Sequence, residues 1–309
     1  MKNWFFAILL LCATAAYSMP MGTSARSMVP AEIQQIISVD YRALKDSPTA
    51  QALKAQVLPD NLKEFEAALK GIGIDADRDL DQLTFASFRS GKQGIQVVSV
   101  AQGSFSAKAV VKRMKLKKIT GTKYGTAVIY PMNNGLVMTF LDEYTLAFGT
   151  QASLQSALDT RDGKRPTLDS NSTMNDQMAA VDSAPVWSIL DQQGTQAMLR
   201  SALGDASKVA DYDTVKKRLL ASRYTMNFQN GVNFDLNVVT SDSMTAATLS
   251  SLVKAGMLYK KLNASPVEKT AIDAMTVDSD SSNLQVHFKT DDQKFQSLLH
   301  SQLFMAVSR

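Results

Sequence analysis

The sequence predicts an α+β fold of two similar halves, each a mainly antiparallel sheet with helices packed on one face. Three observations lead to it. Short apolar runs come in neighbouring pairs separated by turn residues, which is the pattern of β-hairpins. Between the pairs, apolar residues recur at three- and four-residue spacing, which is the pattern of amphipathic helices. The same order of elements then occurs a second time, as an internal duplication would produce. With 309 residues, 45% of them hydrophobic, there is material for a large core.

Taken in order, Lys2, the apolar run at 4–12 and the small residues at 13–18 have the build of a cleaved export signal over 1–18. A membrane span takes roughly 20 apolar residues, more than this run supplies, so no span is expected in the processed chain. A lipoprotein reading through Cys12 ranks second, because Leu9, Leu10 and Leu11 lack the small residue expected before an acylated cysteine. Cys12 is the only cysteine. Disulfides, thiolate metal sites and cysteine nucleophiles are therefore absent after cleavage, and an exported chain of this kind suits a bacterial periplasm or the extracellular space. Residues 19–28, small and polar, are expected to be a flexible leader.

The first unit is placed at 29–159. A strand at 36–39 ends at Asp40. Asp46, Ser47 and Pro48 then supply cap and first-turn chemistry for a helix through Ala52 and Ala55. Pro59 interrupts it, and Asn61 restarts a helix whose Leu62, Phe65, Leu69 and Ile72 share a face. Gly71 and Gly73 end that helix. Strands follow at 83–88 and 95–100 around a turn at 90–94, and the helix at 105–118 directs Ala107, Val110, Val111 and Met114 to one side. A hairpin at 126–130 and 136–141, a strand at 145–148 and a helix at 153–158 complete the unit. The stretch at 160–175 has no apolar periodicity and is expected as a linker.

The second unit, 176–309, begins with a strand at 185–190 ended by Asp191, then helices at 195–203 and 213–220. Tyr224, Met226 and Phe228 alternate with polar residues, Asn230-Gly231 is the strongest hairpin turn in the chain, and Val232, Phe234, Leu236 and Val238 return. A long helix capped at Asp242 or Ser243 carries Leu249, Leu252, Val253 and Met257 on one stripe. Met275 and Val277 face Leu284, Val286 and Phe288 in a last hairpin, ahead of a helix at 294–304. Leu83 answers Ser222, Ile95 answers Asn233 and Ser104 answers Ser241, at offsets of 139, 138 and 137 residues.

Gly-Ile-Asp-x-x-x-Asp-Leu over 73–80 between a helix and an apolar strand, Phe148-Gly149-Thr150 leading into the helix at 153–158, and Val29-Pro30-Ala31-Glu32 before a strand together resemble exported bacterial proteins of unknown function built from duplicated α+β units. The resemblance covers most of the processed chain in element order. It implies an envelope location and carries no catalytic residues.

Candidate chemistry is sparse. Asp75, Asp77, Asp79 and Asp81 alternate as calcium ligands do, but the calcium-loop positions for glycine and the bidentate glutamate hold Leu80 and Ala86. Turn and cap roles are the favoured reading. Lys112, Arg113, Lys115, Lys117 and Lys118 form the densest basic run, a candidate for an anionic surface or simply a solvated helix face. His287 and His300 are isolated; Asp40 and Asp191 end corresponding strands and suggest paired carboxylates, with strand-end turn or helix-cap roles the favoured reading.

Thirty-three basic against 29 acidic residues give a formal charge of +4 spread over the whole chain, which argues against nucleic-acid binding. Arg223, Thr225, Asn227, Asn233, Asp235 and Asn237 line one face of the second sheet, so that face should be open. The apolar strands at 95–100 and 127–130 predict cover on both sides or an apolar groove. The function expected is non-enzymatic: a binding or structural envelope component with no cofactor. A periplasmic carrier of a lipid or other hydrophobic ligand is the alternative, and a hydrolase with a dispersed acidic site the third.

Overall fold

Among the described residues of the computed structural model twelve strands join one sheet, in the order β11-β12-β10-β9-β8-β1-β2-β3-β7-β6-β5-β4. Residues 20–45, 47–57, 60–91, 94–132, 135–203 and 212–299 are described; the expected export signal, Cys12 and His300 lie outside them. The strands are β1 (Ile33–Asp40), β2 (Leu80–Arg89), β3 (Ile95–Gly103), β4 (Thr122–Tyr124), β5 (Ala127–Pro131), β6 (Leu136–Phe140), β7 (Thr145–Thr150), β8 (Val186–Leu190), β9 (Leu219–Asn227), β10 (Val232–Thr240), β11 (Met275–Asp280) and β12 (Asn283–Thr290). Every pairing is antiparallel. Outward from the central β1–β8 pair the order is β1-β2-β3-β7-β6 on one side and β8-β9-β10-β12-β11 on the other. The two halves thus share one sheet.

The helices are α1 (Thr23–Ser27), α2 (Tyr41–Lys45), α3 (Pro48–Val57), α4 (Asp60–Gly71), α5 (Ala76–Asp79), α6 (Ala107–Leu116), α7 (Gln151–Arg161), α8 (Ser172–Ala179), α9 (Gln192–Leu203), α10 (Tyr212–Lys216), α11 (Ser243–Leu262), α12 (Pro266–Asp273) and α13 (Asp292–Leu299). Among the described residues no helix is long and apolar enough to cross a membrane.

Side-chain alternation sorts the core onto two faces. On the back, Ile36, Ala86, Phe88, Val98, Val100, Ala147, Trp187 and Ile189 pack with α1, α7 and α8 in one cluster. On the front, three separate clusters form: α4, α5 and α6 over the first half, α9, α10 and α11 over one part of the second half, and α12, α13 and α3 over another. Helices therefore cover both faces of the first half, whereas in the second half the back is covered only by α8, at β8 and the adjoining part of β9. The cause is composition: Val98 and Val100 point back while Ala101 points forward, and Ala147 points back between Leu146 and Phe148, so β3 and β7 present apolar residues on both sides.

Two segments are more ordered than their composition predicts. Residues 20–28, expected to be a flexible leader, carry α1, and Met21, Ala25, Met28 and Val29 fall at helical spacing into the back cluster. The 160–175 stretch, expected as a linker, includes a 3-10 turn at Leu168–Ser170, and Leu168 and Met174 are buried in the same cluster. Arg26 ties the two segments together through Asp169 at 2.5 Å. Small and polar residues around these few apolar anchors hide the packing from a reading of composition.

The local signals behave as chemistry dictates. At Asn230-Gly231 both residues are left-handed, φ 59° and 95°, as a tight hairpin turn requires. Gly73, at φ 85°, ends α4, while Gly71 is still helical. Asp242 caps α11: its carboxylate accepts from Ser241 Oγ at 2.7 Å, from Thr245 N at 2.8 Å and from Thr245 Oγ1 at 3.0 Å. These bonds, that from Ser241 foremost, hold the carboxyl down to about 2. A carboxyl depressed when folded contributes stability above its unfolded value near 4 and loses it as pH falls toward 2. In acid titrations of urea stability, Asp242→Asn, which keeps a capping oxygen, should flatten the slope between about pH 4 and pH 2.

Candidate functional site

The sequence-derived candidates do not come together. Asp75 caps α5 by accepting from Arg78 N at 3.3 Å. Asp77 pairs with Lys54 at 2.6 Å, Asp79 with Arg78 at 2.7 Å, and Asp81 with Arg42 at 3.3 Å. Four carboxylates are thus committed to three cations and a helix cap, and the described residues gather no metal-binding group of three or more His, Cys, Asp or Glu side chains. In the basic run, Arg113 Nη1 donates to Gly73 O at 2.6 Å and Lys117 Nζ to Gly71 O at 2.5 Å, closing the carbonyl end of α4. Lys112, Lys115 and Lys118 stay exposed.

Asp40 and Asp191 cap the residues that follow, accepting from Ala43 N at 3.0 Å and Gly194 N at 2.8 Å. Antiparallel pairing of β1 with β8 puts them at opposite ends, with Asp191 N donating to Gln34 O and Asp40 N to Pro185 O. Six residues of strand, about 20 Å, separate those positions, so the two carboxylates cannot share a proton or a substrate. His287 is half exposed on the open back face, 2.5 Å from Asp235.

What the fold does build on the front face is an apolar trough whose floor residues pack against the edges of the three clusters, Phe85 and Val39 on the first, Leu236 and Val286 on the second, and Met226 and Phe234 on the third. Register places Phe85, Ile37, Ser188, Tyr224, Leu236 and Val286 in one row across β2, β1, β8, β9, β10 and β12. All but Ser188 remain partly exposed. In the next row Val39, Val186, Met226 and Phe234 are also partly exposed, between buried Leu83 and Phe288 at the ends. Six strands at about 4.8 Å spacing make a trough about 24 Å long. Burial pushes the Tyr224 phenol up from its ordinary value, although the residue still keeps accessible surface. Its ring lies 5.6 Å from that of Phe234.

α3 links the walls. Ala52 and Leu53 pack on the cluster formed with α12 and α13, and Thr49 Oγ1 donates to Asp292 at 2.5 Å. From the same helix, Lys54 Nζ bonds Glu66 at 2.8 Å and Asp77 at 2.6 Å and sits 4.7 Å over the Tyr41 ring. Burial by itself would lower the Lys54 ammonium; bonds to Asp77 and Glu66 outweigh it and raise it. Burial foremost, then the neighbouring Glu66 carboxylate, pushes the Tyr41 phenol well above its usual range.

The sequence places an apolar groove or two-sided cover at the strands 95–100 and 127–130. There the cover is partial: Val98, Val100, Ala127 and Ile129 are buried, while Ile95, Val97 and Val128 stay exposed. Alternation in β9 and β10 identifies the apolar side of the trough, but whether helices close over that side depends on where α3, α9, α11 and α13 land, which no local pattern specifies. The back face of β9, β10 and β12 is open and polar, as Arg223, Thr225, Asn227, Asn233, Asp235 and Asn237 predict.

No protein-family model matches the sequence, and no curated protein matches it. Among solved structures, crystal form I of TP0453 is similar at 9% identity and a TM-score of 0.50, over 93% of this chain and 99% of that one. Crystal form III (7% identity, TM-score 0.46, 89% and 96% covered) and form IV (9%, 0.46, 93% and 98%) are also found. Identity this low supports likeness of fold alone, an α+β chain with a large antiparallel sheet, and the likeness to form I runs over nearly the whole of both chains.

Proposed function

We propose that this is a non-enzymatic, exported binding protein that holds a hydrophobic ligand, a lipid acyl chain, in the trough on the front face. The observation that carries the reading is the row of apolar side chains at Phe85, Ile37, Tyr224, Leu236 and Val286, which keep accessible surface although Phe85, Leu236 and Val286 also pack against the helical clusters. The apolar surface that these side chains still expose is stabilised by whatever apolar group replaces water on it, at about 25 cal/mol per Å². The trough, about 24 Å long, exceeds one leaflet of a bilayer core, about 15 Å, so a single acyl chain lies within it. Ser188 and the Tyr224 hydroxyl are polar points near its middle. Export rests on the signal-like residues 1–18, and duplication of an ancestral unit rests on the near-constant offsets between halves.

Titration of delipidated protein with a fluorescent polyunsaturated fatty acid tests the reading. Saturable enhancement of fluorescence, displaced by an unlabelled fatty acid, is expected; enhancement that rises linearly without saturation would refute it.

A further inference from the structure

The open back face of the second half holds a cation without a carboxylate. Arg223 on β9 projects from that face beside α8, and its Nη1 donates to the neutral Gln177 Oε1 at 2.5 Å. No other hydrogen bond to its guanidinium and no salt bridge is found among the described residues. The nearest acid in the register, Asp235, lies one strand over and one pair along, and it is turned away to His287 Nδ1 at 2.5 Å. Burial pushes the Arg223 guanidinium below its ordinary value, and no neighbouring carboxylate offsets that. An arginine half withdrawn from water with a single neutral acceptor has its remaining donors free for an anion, and its planar fork matches a carboxylate.

The residues beside it are amides. Asn237 pairs with Arg223 in register and Gln285 with Asn237, forming a row that starts at the wall made by α8. The Asn237 Oδ1 is buried and has no hydrogen-bond partner among the described residues. Thr225 and the Asp235–His287 pair occupy the next row. The patch thus offers one fork for an anion, then amide, hydroxyl and carboxylate groups fixed on a rigid, open sheet.

We propose that Arg223, Asn237 and Gln285 form a binding site for an acidic carbohydrate, with the sugar carboxylate on Arg223 and its hydroxyls on the two amides. It goes beyond the acyl-chain reading, since the trough occupies the opposite face of the same strands, and either site can fail alone.

Isothermal titration of the protein with tetragalacturonate, maltotetraose, sodium acetate and sodium phosphate tests it. Saturable binding of tetragalacturonate is expected, with maltotetraose at least about tenfold weaker and Arg223→Gln weakening tetragalacturonate about tenfold. Lys289→Gln, on the same face but away from the row, should change it less than about twofold. Should Arg223→Gln lower the melting temperature, Gln285→Ala decides, with a loss of about threefold or more expected. Equal binding of acetate or phosphate would mean an adventitious ion only and overturn the proposal. So would equal binding of maltotetraose, no binding of tetragalacturonate, or full affinity in both Arg223→Gln and Gln285→Ala.

Discussion

Trp187→Ala is expected to lower folding stability by about 3–5 kcal/mol, the range for removing a large buried aromatic. Trp187 is 1% exposed and stands on β8 between Ser38 of β1 and Thr225 of β9, at the junction of the two halves. It belongs to the cluster that includes Met174 and Met178 of α8. Its loss opens a cavity against both halves of the sheet, and little around it can collapse because the neighbouring strands are held in register. The indole Nε1 is buried without a partner among the described residues, so Trp187→Phe also removes an unsatisfied donor and should cost well under half as much. Urea unfolding followed by circular dichroism reads both. A loss for Trp187→Ala below about 1 kcal/mol, the ordinary surface range, would mean that the junction is not packed as described.

The second large effect concerns the trough. Leu236→Arg places a cation in the middle of the row between Tyr224 and Val286, where a bound acyl chain would leave it desolvated and unpaired. That should reduce fatty-acid affinity by about tenfold or more, while Leu236→Met, similar in volume, should leave it within about threefold. Leu236 is partly exposed but also packs against the cluster under α9, α10 and α11, so the melting temperatures of the two variants are what separate lost binding from lost structure. Equal affinity in both would place any bound chain elsewhere.

Particular residues show how much of this was legible in the sequence. Alternation of Tyr224, Met226 and Phe228 with Arg223, Thr225 and Asn227 identified both the apolar and the polar side of β9, because a strand exposes its period directly. Asn230-Gly231 fixed a hairpin through backbone conformation alone. Hidden were features that depend on distant partners: Met21, Ala25 and Met28 are anchors only because Leu168 and Met174 meet them across 140 residues of chain. The trough is of the same kind. Its rows combine residues from six strands of both halves, and its openness is set by three helical groups that pack beside one another without merging. Likewise, Asp40 and Asp191 look like a pair in sequence, but the antiparallel junction sends them to opposite ends of it.

The most direct test is native mass spectrometry of the protein purified from its own host without detergent. One bound acyl lipid per chain is expected, released on collisional activation and lost from Leu236→Arg. A chain carrying no lipid, or one that keeps the same lipid in Leu236→Arg with its fold intact, would contradict a hydrophobic-ligand trough on the front of this sheet.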